Sequence, residues 1–250
     1  MAKSDPLISV VIPCKDEAEG LPALAAAVAA WDAFPRRELL FVDDGSVDRT
    51  AALIAELFPQ ARLLAHPRNL GIGAALRTGS LAATGDLVAW FDADASYDPA
   101  LLPEMAALLL ANGAAAVTVS PWSPGGGAEG LSASRSLPST LVSRLYGLLA
   151  PGRLHTYTAM VRVHRREALL PALPRRDGFP GVTESLLRIL LQGGRVLEQP
   201  ALLRRRTAGR SKMRLLAVTA GHLSLLAALL LGRLGPRAPA GRPSGEGSRP

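Results

Sequence analysis

The chain contains very little cysteine and few aromatic residues. Among 250 residues there is one cysteine, Cys14, and aromatic side chains make up 4%. A single cysteine excludes a framework of intramolecular disulfides and indicates a reducing compartment. The basic C-terminal part of the sequence lacks interleaved aromatic residues on which bases could stack, and this argues against nucleic-acid binding.

Several other features of common protein classes are missing. Residues 1–6 are polar and short, so no secretory signal peptide is expected. No Cys/His cluster has the spacing of a metal site, and no nucleophile is paired with a base in the sequence. His155, His164 and His222 are therefore expected to be structural or surface residues. These absences direct attention to the acidic and basic residues.

The net charge of +7 is concentrated near the C-terminus. Residues 1–194 carry 17 basic and 19 acidic residues, whereas residues 195–250 carry 11 basic and 2 acidic residues. A segment of this kind suits anionic partners such as phosphates or an acidic lipid surface. Residues 236–250 are rich in Gly, Pro and Ser, and we predict a disordered tail there.

Short apolar runs alternate with helical segments over the first 120 residues. Strands are predicted at 7–12, 39–42, 62–65, 87–91 and 115–119, and helices at 21–31, 49–57, 74–83 and 101–110. This alternation predicts an α/β fold with a mostly parallel, twisted sheet and helices on both faces. Further along, the sequence predicts a flexible loop at 120–130, helices at 139–149 and 183–192, and extended segments at 159–163 and 195–203.

Acidic residues follow three of the predicted strands. Glu17 follows the first strand, Asp43 and Asp44 the second, and Asp92 and Asp94 the fourth. The carboxyl ends of parallel strands meet at one edge of a sheet, where α/β folds bind ligands. Two carboxylates one residue apart repel each other unless a cation or proton lies between them, and Mg²⁺ commonly binds carboxylates together with substrate phosphates. The pattern suggests a metal-held nucleotide site, with solvated surface acids as the alternative.

Motifs at these strand ends resemble glycosyltransferase family 2, whose nucleotide-sugar fold is called GT-A. They are PCKDE, FVDDGSVDRT, NLGIGAALRTGSLAATGD and the DAD triplet at 92–94. Three later segments, TAMVRVHRREAL, GVTESLLRILLQGGRVLEQP and RRRTAGRSK, are similar to the polyprenyl-phosphate glycosyltransferases, which include dolichyl-phosphate mannose synthase. The resemblance covers residues 7–212 and implies a GT-A domain over 1–212.

The resemblance implies roles for individual residues on the donor side. The positions that hold the base and ribose match Pro13, Glu17 and Asp44, and Asp43, at the same strand end, is a further candidate for substrate binding. Asp92 and Asp94 match the two acids of the metal motif, and Asp94 is expected to ligate the divalent cation, Mg²⁺ or Mn²⁺, that bridges the diphosphate. Ser96 matches a further polar ligand of that cation.

The acceptor side departs from the family pattern. The basic segment that binds phosphates matches Arg206, Ser211 and Lys212. Pro121 stands where the polyprenyl-phosphate branch commonly has Arg, and Arg135 is the candidate to supply that contact. Thr156 stands where an Asp is frequent, and Ala159 replaces a turn Gly.

The resemblance implies inverting transfer of one sugar from a nucleoside-diphosphate sugar to a polyprenyl-phosphate lipid. Asp94, Arg206 and Lys212 are the expected catalytic residues, because a cation and basic side chains offset charge on the departing diphosphate. Two alternatives remain open: a non-lipid acceptor, and a nucleotide-sugar-binding pseudoenzyme. The expected partners are thus the donor sugar, the lipid and a membrane surface, without nucleic acid.

The most apolar run of the chain is residues 215–231, which is 17 residues long. At about 1.5 Å per residue it is slightly short of a bilayer span. Its basic flanks favour a membrane-associated helix over 213–235, on the surface or as a short anchor, and a location at the cytoplasmic face of the membrane. A core helix packed on the domain is the alternative, since Gly221, His222 and Ser224 interrupt the run.

Overall fold

The predicted alternation of strands and helices is present in the computed structural model, which describes residues 6–29, 36–94, 96–130, 133–204 and 215–235, with the backbone alone over 133–138 and 215–216. The strands are β1 Ile8–Cys14, β2 Arg37–Asp43, β3 Arg62–Ala65, β4 Leu87–Trp90, β5 Ala116–Ser120, β6 Gly127–Ala128, β7 Arg162–Arg165, β8 Val196–Pro200 and β9 Leu202–Leu203. The helices are α1 Leu21–Ala29, α2 Thr50–Leu57, α3 Ile72–Ala82, α4 Leu101–Ala111, α5 Ala133–Leu149, α6 Arg166–Leu169, α7 Pro180–Leu191 and α8 Leu215–Leu230.

Seven strands form the central sheet, in the order β3-β2-β1-β4-β7-β5-β8. The described pairs are parallel except those of β7, which is antiparallel to both β4 and β5. The prediction of a mostly parallel α/β sheet is therefore confirmed. The five predicted strands correspond to β1–β5, and the two later extended segments supply β7, β8 and β9.

Proline does not end the first strand, contrary to what its missing N–H group predicts. β1 continues through Pro13 to Cys14, and Pro13 lies opposite Val42 in the parallel pairing with β2. The pairing with β4 ends earlier, at Val11. Pro13 thus lies beyond the part of β1 that is paired on both sides, where a missing donor is tolerated.

The predicted flexible loop at 120–130 is partly ordered by a second, two-stranded sheet. β6 pairs with β9 in parallel. The pairing is extended by Gly127 N–H, which donates to Ala201 O at 3.1 Å, and by Glu129 N–H, which donates to Leu203 O at 2.9 Å. The composition indicated a loop correctly, but it could not reveal that a distant segment offers this one a pairing edge.

Both faces of the sheet are buried, as near-continuous apolar strands predict. Successive residues of a strand point to opposite faces, so each strand contributes to two separate cores. One core contains Val10, Ile12 and Phe41 together with Leu24 of α1 and Met105 of α4. The other contains Val11, Leu40, Val42 and Trp90 together with Leu76 of α3. The sheet is thereby fixed between two helical layers.

Helix α8 packs on the rest of the domain through α5 and α7. Leu225 is buried in a cluster with Tyr146 of α5 and Leu186 of α7. The Tyr146 hydroxyl lies 3.1 Å from Nδ1 of His222. His222, one of the three residues that interrupt the apolar run, is therefore buried against protein, as the core-helix alternative expects, whereas Ser224 is exposed. Among the described residues, no helix is both long enough and apolar enough to cross a bilayer.

One carboxylate at the amino edge of the sheet makes folding stability depend on pH. Glu38 accepts hydrogen bonds from the Ser9 hydroxyl and from the N–H and hydroxyl of Thr84, at 2.6 and 2.9 Å for the latter two. Partial burial alone would raise the pKa of Glu38, but these bonds and the charge of Arg62 outweigh it and hold the pKa below its usual value of 4.5. The stabilisation is present above that pH and is lost as the pH falls through the lowered pKa.

We expect Glu38→Gln to lower the free energy of unfolding by about 1 kcal/mol at pH 7. The difference from the unmodified protein should shrink as the pH falls below 4.5 and through the lowered pKa of Glu38, because the native carboxylate then becomes protonated as well. Urea unfolding at pH 7 and at pH 3 measures both values. Glu56→Gln is the matched control, since Glu56 is 56% exposed in its ion pair with Arg49. A pH-independent difference for Glu38→Gln would contradict the prediction.

Candidate active site

The acidic residues meet at the carboxyl edge of the sheet. β1, β2 and β4 are adjacent and parallel, and they end at Cys14, Asp43 and Trp90. Asp92 and Asp94 follow β4 directly, and Asp44 follows β2. The topology therefore brings the residues predicted from three strand ends to one side of the molecule, the side on which α/β sheets bind ligands.

The loop after β4 concentrates negative charge in a largely buried place. Asp94 is 6% exposed, and its Oδ1 accepts the N–H of Ser96 at 2.9 Å. Burial raises the pKa of the Tyr97 phenol, and the charges of Asp92 and Asp94 raise it further. Two carboxylates thus lie close enough to a buried phenol to affect its ionisation, and a cation bound there would relieve their repulsion.

Ser96 links the carboxylate loop to the start of the basic segment. Its carbonyl oxygen accepts the N–H of Arg204 at 2.9 Å, just after β9. The Arg204 guanidinium lies 3.7 Å from the Asp98 carboxylate. The predicted phosphate-binding residues Arg206, Ser211 and Lys212 lie outside the described residues. The chain nevertheless enters the basic segment in direct contact with the Asp94 loop.

Asp44 accepts hydrogen bonds that could not be predicted from the sequence. Its Oδ1 accepts the N–H of Leu70 at 2.8 Å and lies 2.7 Å from Nδ1 of His66, and its Oδ2 accepts the N–H of Gly71 at 2.8 Å. The other His66 nitrogen, Nε2, lies 3.0 Å from the Thr78 hydroxyl. The carboxylate predicted to contact base or ribose therefore holds the loop that leads into α3.

The loops after β1 and β2 are cross-linked by hydrogen bonds. Asp43 accepts the N–H of Ser46 at 2.9 Å, which closes the turn after β2. The N–H of Asp16, which has a φ of 48°, donates to the Ser46 hydroxyl at 2.8 Å, and the N–H of Glu17 donates to the Thr50 hydroxyl at 2.8 Å. Pro13 is partly buried at the base of these loops. The predicted base-binding residues thus lie in or next to two loops that hydrogen bonds hold together at this edge of the sheet.

A hydrogen-bond network surrounds Thr156, one of the residues that the sequence analysis assigned to the acceptor side. Thr156 is 2% exposed, and its hydroxyl lies 2.7 Å from that of Ser120 at the end of β5. Glu198 of β8 accepts the N–H of Thr156 at 2.9 Å and lies 2.7 Å from Nδ1 of His155. Sequence reasoning missed Ser120 and Glu198. The signal for Glu198 was that it is one of two acids in the basic C-terminal quarter.

His164 is a structural residue, as the sequence predicts, and the Arg135 side chain cannot be placed. His164 lies in β7, fully buried, and burial together with the charge of Arg162 lowers its pKa to about 3. It is therefore neutral and structural at physiological pH. The backbone at residue 135 belongs to α5, and the Arg135 side chain lies outside the described residues.

The acids at this edge fit a cation only as part of a larger ligand set. Among the described residues, no group of three or more His, Cys, Asp or Glu side chains could hold a metal ion. Asp92 and Asp94 form a pair of hard oxygen donors, which is the number that Mg²⁺ commonly takes from protein when substrate phosphates supply further oxygens. The residues present therefore fit a cation shared with a bound diphosphate.

Known proteins resemble this chain in both sequence and architecture. The family model described as glycosyl transferase family 2 matches residues 9–169. An uncharacterized glycosyltransferase of Mycobacterium tuberculosis is 37% identical over 215 residues, covering 82% of this chain and 89% of the relative, and one from Mycobacterium bovis matches equally.

Solved structures with the same fold include glucosyl-3-phosphoglycerate synthase from Mycobacterium tuberculosis. In complex with Mn²⁺, uridine diphosphate and phosphoglyceric acid, it has a TM-score of 0.69 and 23% identity, with 95% of this chain and 82% of that one covered. A complex with Mg²⁺ and uridine diphosphate has a TM-score of 0.69 at 23% identity, with 93% and 81% covered. Together with the family match, these findings show that the chain is a glycosyltransferase with a GT-A-like fold and belongs to glycosyl transferase family 2.

Proposed function

We propose that this glycosyltransferase moves a sugar from a uridine diphosphate sugar, bound with Mg²⁺ or Mn²⁺, to a small soluble acceptor that carries a phosphate. The observation that carries the proposal is the contact between Ser96 and Arg204, which joins the carboxylate loop to the basic segment. A diphosphate needs positive charge on more than one side, and this contact joins the loop of the carboxylate pair to Arg204, the residue at which the basic segment begins.

The carboxylate loop would hold the cation through Asp94 and Asp92, with Ser96 beside them. The bond from Ser96 N–H orients one Asp94 oxygen and leaves the carboxylate fixed before any ligand arrives. When bound, the cation acts as a Lewis acid that offsets charge developing on the departing diphosphate. Solved complexes of similar architecture that contain Mn²⁺ or Mg²⁺ support this role of a cation.

The uridine would lie against the cross-linked loops after β1 and β2. The residues proposed to contact the base and ribose are Asp43, Glu17 and Pro13, at the base of these loops and within them. Asp44 acts differently: because its oxygens accept bonds from Leu70 and Gly71, we assign it the role of positioning the loop beneath the donor. It is a positioning residue rather than a direct contact.

The acceptor would be bound by the basic segment, with Arg206, Ser211 and Lys212 contacting phosphate groups. Arginine suits this task because its planar fork matches phosphate oxygens. A small phosphorylated acceptor is supported by the structural neighbours that bind phosphoglyceric acid. The acceptor motifs of the polyprenyl-phosphate enzymes are also incomplete here, at Pro121, Thr156 and Ala159.

Polyprenyl phosphate is the second candidate acceptor. It shares the phosphate chemistry of the first candidate, and the exposed leucines of α5 and α8 favour it by offering an apolar surface near the domain. Inversion at the anomeric carbon stays a prediction for either acceptor. The anomeric configuration of the isolated product, measured by NMR, tests it.

Donor binding and transfer can be tested on the full chain in two steps. We expect UDP with Mn²⁺ to raise the melting temperature, UDP with EDTA to do so weakly, and GDP with Mn²⁺ to have little effect. Transfer from UDP-glucose to 3-phosphoglycerate is then compared with transfer to a detergent-solubilised polyprenyl phosphate. If only the lipid yields product, polyprenyl phosphate is the acceptor and the soluble acceptor is ruled out. If the donor binds but neither acceptor yields product, the proposed transfer is contradicted.

A further inference from the structure

Helix α5 exposes a stripe of leucines on one side. Leu141 is 60% exposed, Leu145 37% and Leu148 81%. These residues are spaced by four and three positions, so they lie along one face of the helix. A soluble protein seldom presents several exposed leucines in one row, and such a surface commonly contacts another molecule.

Helix α8 exposes a second row beside the first. Leu223 is 61% exposed, Leu230 68% and the following Leu231 61%. The described residues of α8 include no charged side chain, and its inward side packs on the domain. Thr219 and Ser224 are the polar residues among its exposed positions. Both helices bury their other side in one cluster that includes Tyr146, which means that their exposed leucines point away from a shared core.

The sequence segments that contain and flank these helices carry charge of one sign. Residues 131–166 and 199–245, which contain α5, α8 and their flanks, hold fifteen Lys or Arg and no Asp or Glu. Among the described residues, Arg144 of α5, Arg153 just beyond it and Arg233 just beyond α8 are exposed. Asp177 is the exposed acid next to Arg176, which contacts Ser224 of α8, and its carboxylate is paired with Arg77 at 2.7 Å. An apolar face with exposed arginines beside it complements an anionic lipid surface, which offers acyl chains and negative head groups together.

We propose that the leucine face of α5 and α8, defined by Leu141, Leu145, Leu148, Leu223, Leu230 and Leu231, docks on an anionic bilayer surface. Because α8 is anchored to α7 by Leu225 and to Tyr146 by His222, the domain as a whole is held at the bilayer by this face. The proposal is independent of the acceptor: it concerns where the enzyme works, for either candidate substrate.

Vesicle flotation of the full chain tests this proposal without any donor or acceptor. We expect the protein to float with phosphatidylcholine vesicles that contain phosphatidylglycerol, and to bind much more weakly to phosphatidylcholine alone or at high salt. The triple variant Leu148→Ser, Leu223→Ser, Leu230→Ser should lose at least about tenfold in vesicle affinity, since each buried leucine contributes more than 1 kcal/mol.

A matched control separates this face from general loss of apolar surface. Leu63→Ser, Leu81→Ser and Leu110→Ser replace three leucines that are 38%, 61% and 41% exposed elsewhere on the domain. This control should float like the unmodified protein, and both variants should keep their UDP-dependent rise in melting temperature. Absence of flotation, or equal loss in both variants, would overturn the proposal. A dimer of the unmodified protein that the first triple variant abolishes would also overturn it, because a second copy would then cover the face.

Discussion

Replacing Asp94 by asparagine should reduce sugar transfer by about a thousandfold while leaving the fold intact. The loss follows from the several kcal/mol that a cation at a departing diphosphate contributes to the transition state. The fold should survive because the asparagine oxygen can still accept the Ser96 N–H bond that Asp94 accepts at 2.9 Å. Initial rates at saturating Mn²⁺, together with UDP binding measured with and without Mn²⁺, check the two parts separately.

Asp86→Asn is the matched control for this substitution. Asp86 is exposed at the amino end of the same strand, opposite to the carboxylate loop, where its side chain accepts the N–H of Leu7 at 3.1 Å. It changes net charge by the same amount and should keep full activity. If Asp94→Asn retained normal rates and a normal effect of Mn²⁺ on UDP binding, the cation would have to be held elsewhere.

The second large effect is expected from Gly73→Ala, at the start of α3. A Cβ atom at this position would lie 2.2 Å from Arg176 O and 3.0 Å from the carbonyl oxygens of Asp177 and Gly178. These are backbone atoms, so no side chain can rotate away to make room. The Gly73 N–H also donates to Asp177 O at 2.6 Å. We expect a loss of about 3 kcal/mol in unfolding free energy and a melting temperature lower by roughly 6–12 °C.

Gly178→Ala provides the comparison for that prediction. Gly178 lies in the same contact, but the nearest atom to an added Cβ there is Pro180 Cδ, at an ordinary 3.7 Å. Its melting temperature should therefore stay close to that of the unmodified protein. Equal melting temperatures for both variants would mean that the loop before α7 can move away from α3, which the backbone contacts argue against.

The sequence predicted the five strands of the seven-stranded sheet that are encoded by local pattern, β1 to β5. β1 to β5 are apolar runs, and the acids that follow them are brought to one edge by parallel pairing alone. The position of β7 could not be predicted in the same way, because insertion between β4 and β5 depends on the packing of residues far apart in the chain. The strand's residues were recognised as extended, but neither their partners nor their direction follows from local pattern.

In the candidate site, too, features encoded by local sequence could be predicted, whereas contacts between distant residues could not. Asp92 and Asp94 were recognised from their spacing after an apolar strand. The positioning role of Asp44 was not, because it depends on backbone N–H groups of Leu70 and Gly71 that are 26 and 27 residues away. Likewise, the sequence indicated a basic segment that could bind phosphate, but the bond from Arg204 to Ser96 depends on the pairing of β6 and β9. Side chains were thus easier to predict than the backbone groups that hold them.

The anchoring of the chain on both sides of residues 205–214 has a consequence for affinity. Arg204 is bonded to the carboxylate loop, and α8 begins at Leu215 and packs on the domain, so ten residues are tethered at both ends. A tethered segment cannot diffuse away, and its cations are present at an effective concentration on the order of millimolar or above. In the function proposed above, ligand phosphates would therefore encounter these cations at a high local concentration. A single chain break between 205 and 214 would leave each half tethered at one end only, which lowers this effective concentration without removing a Lys or Arg from the protein.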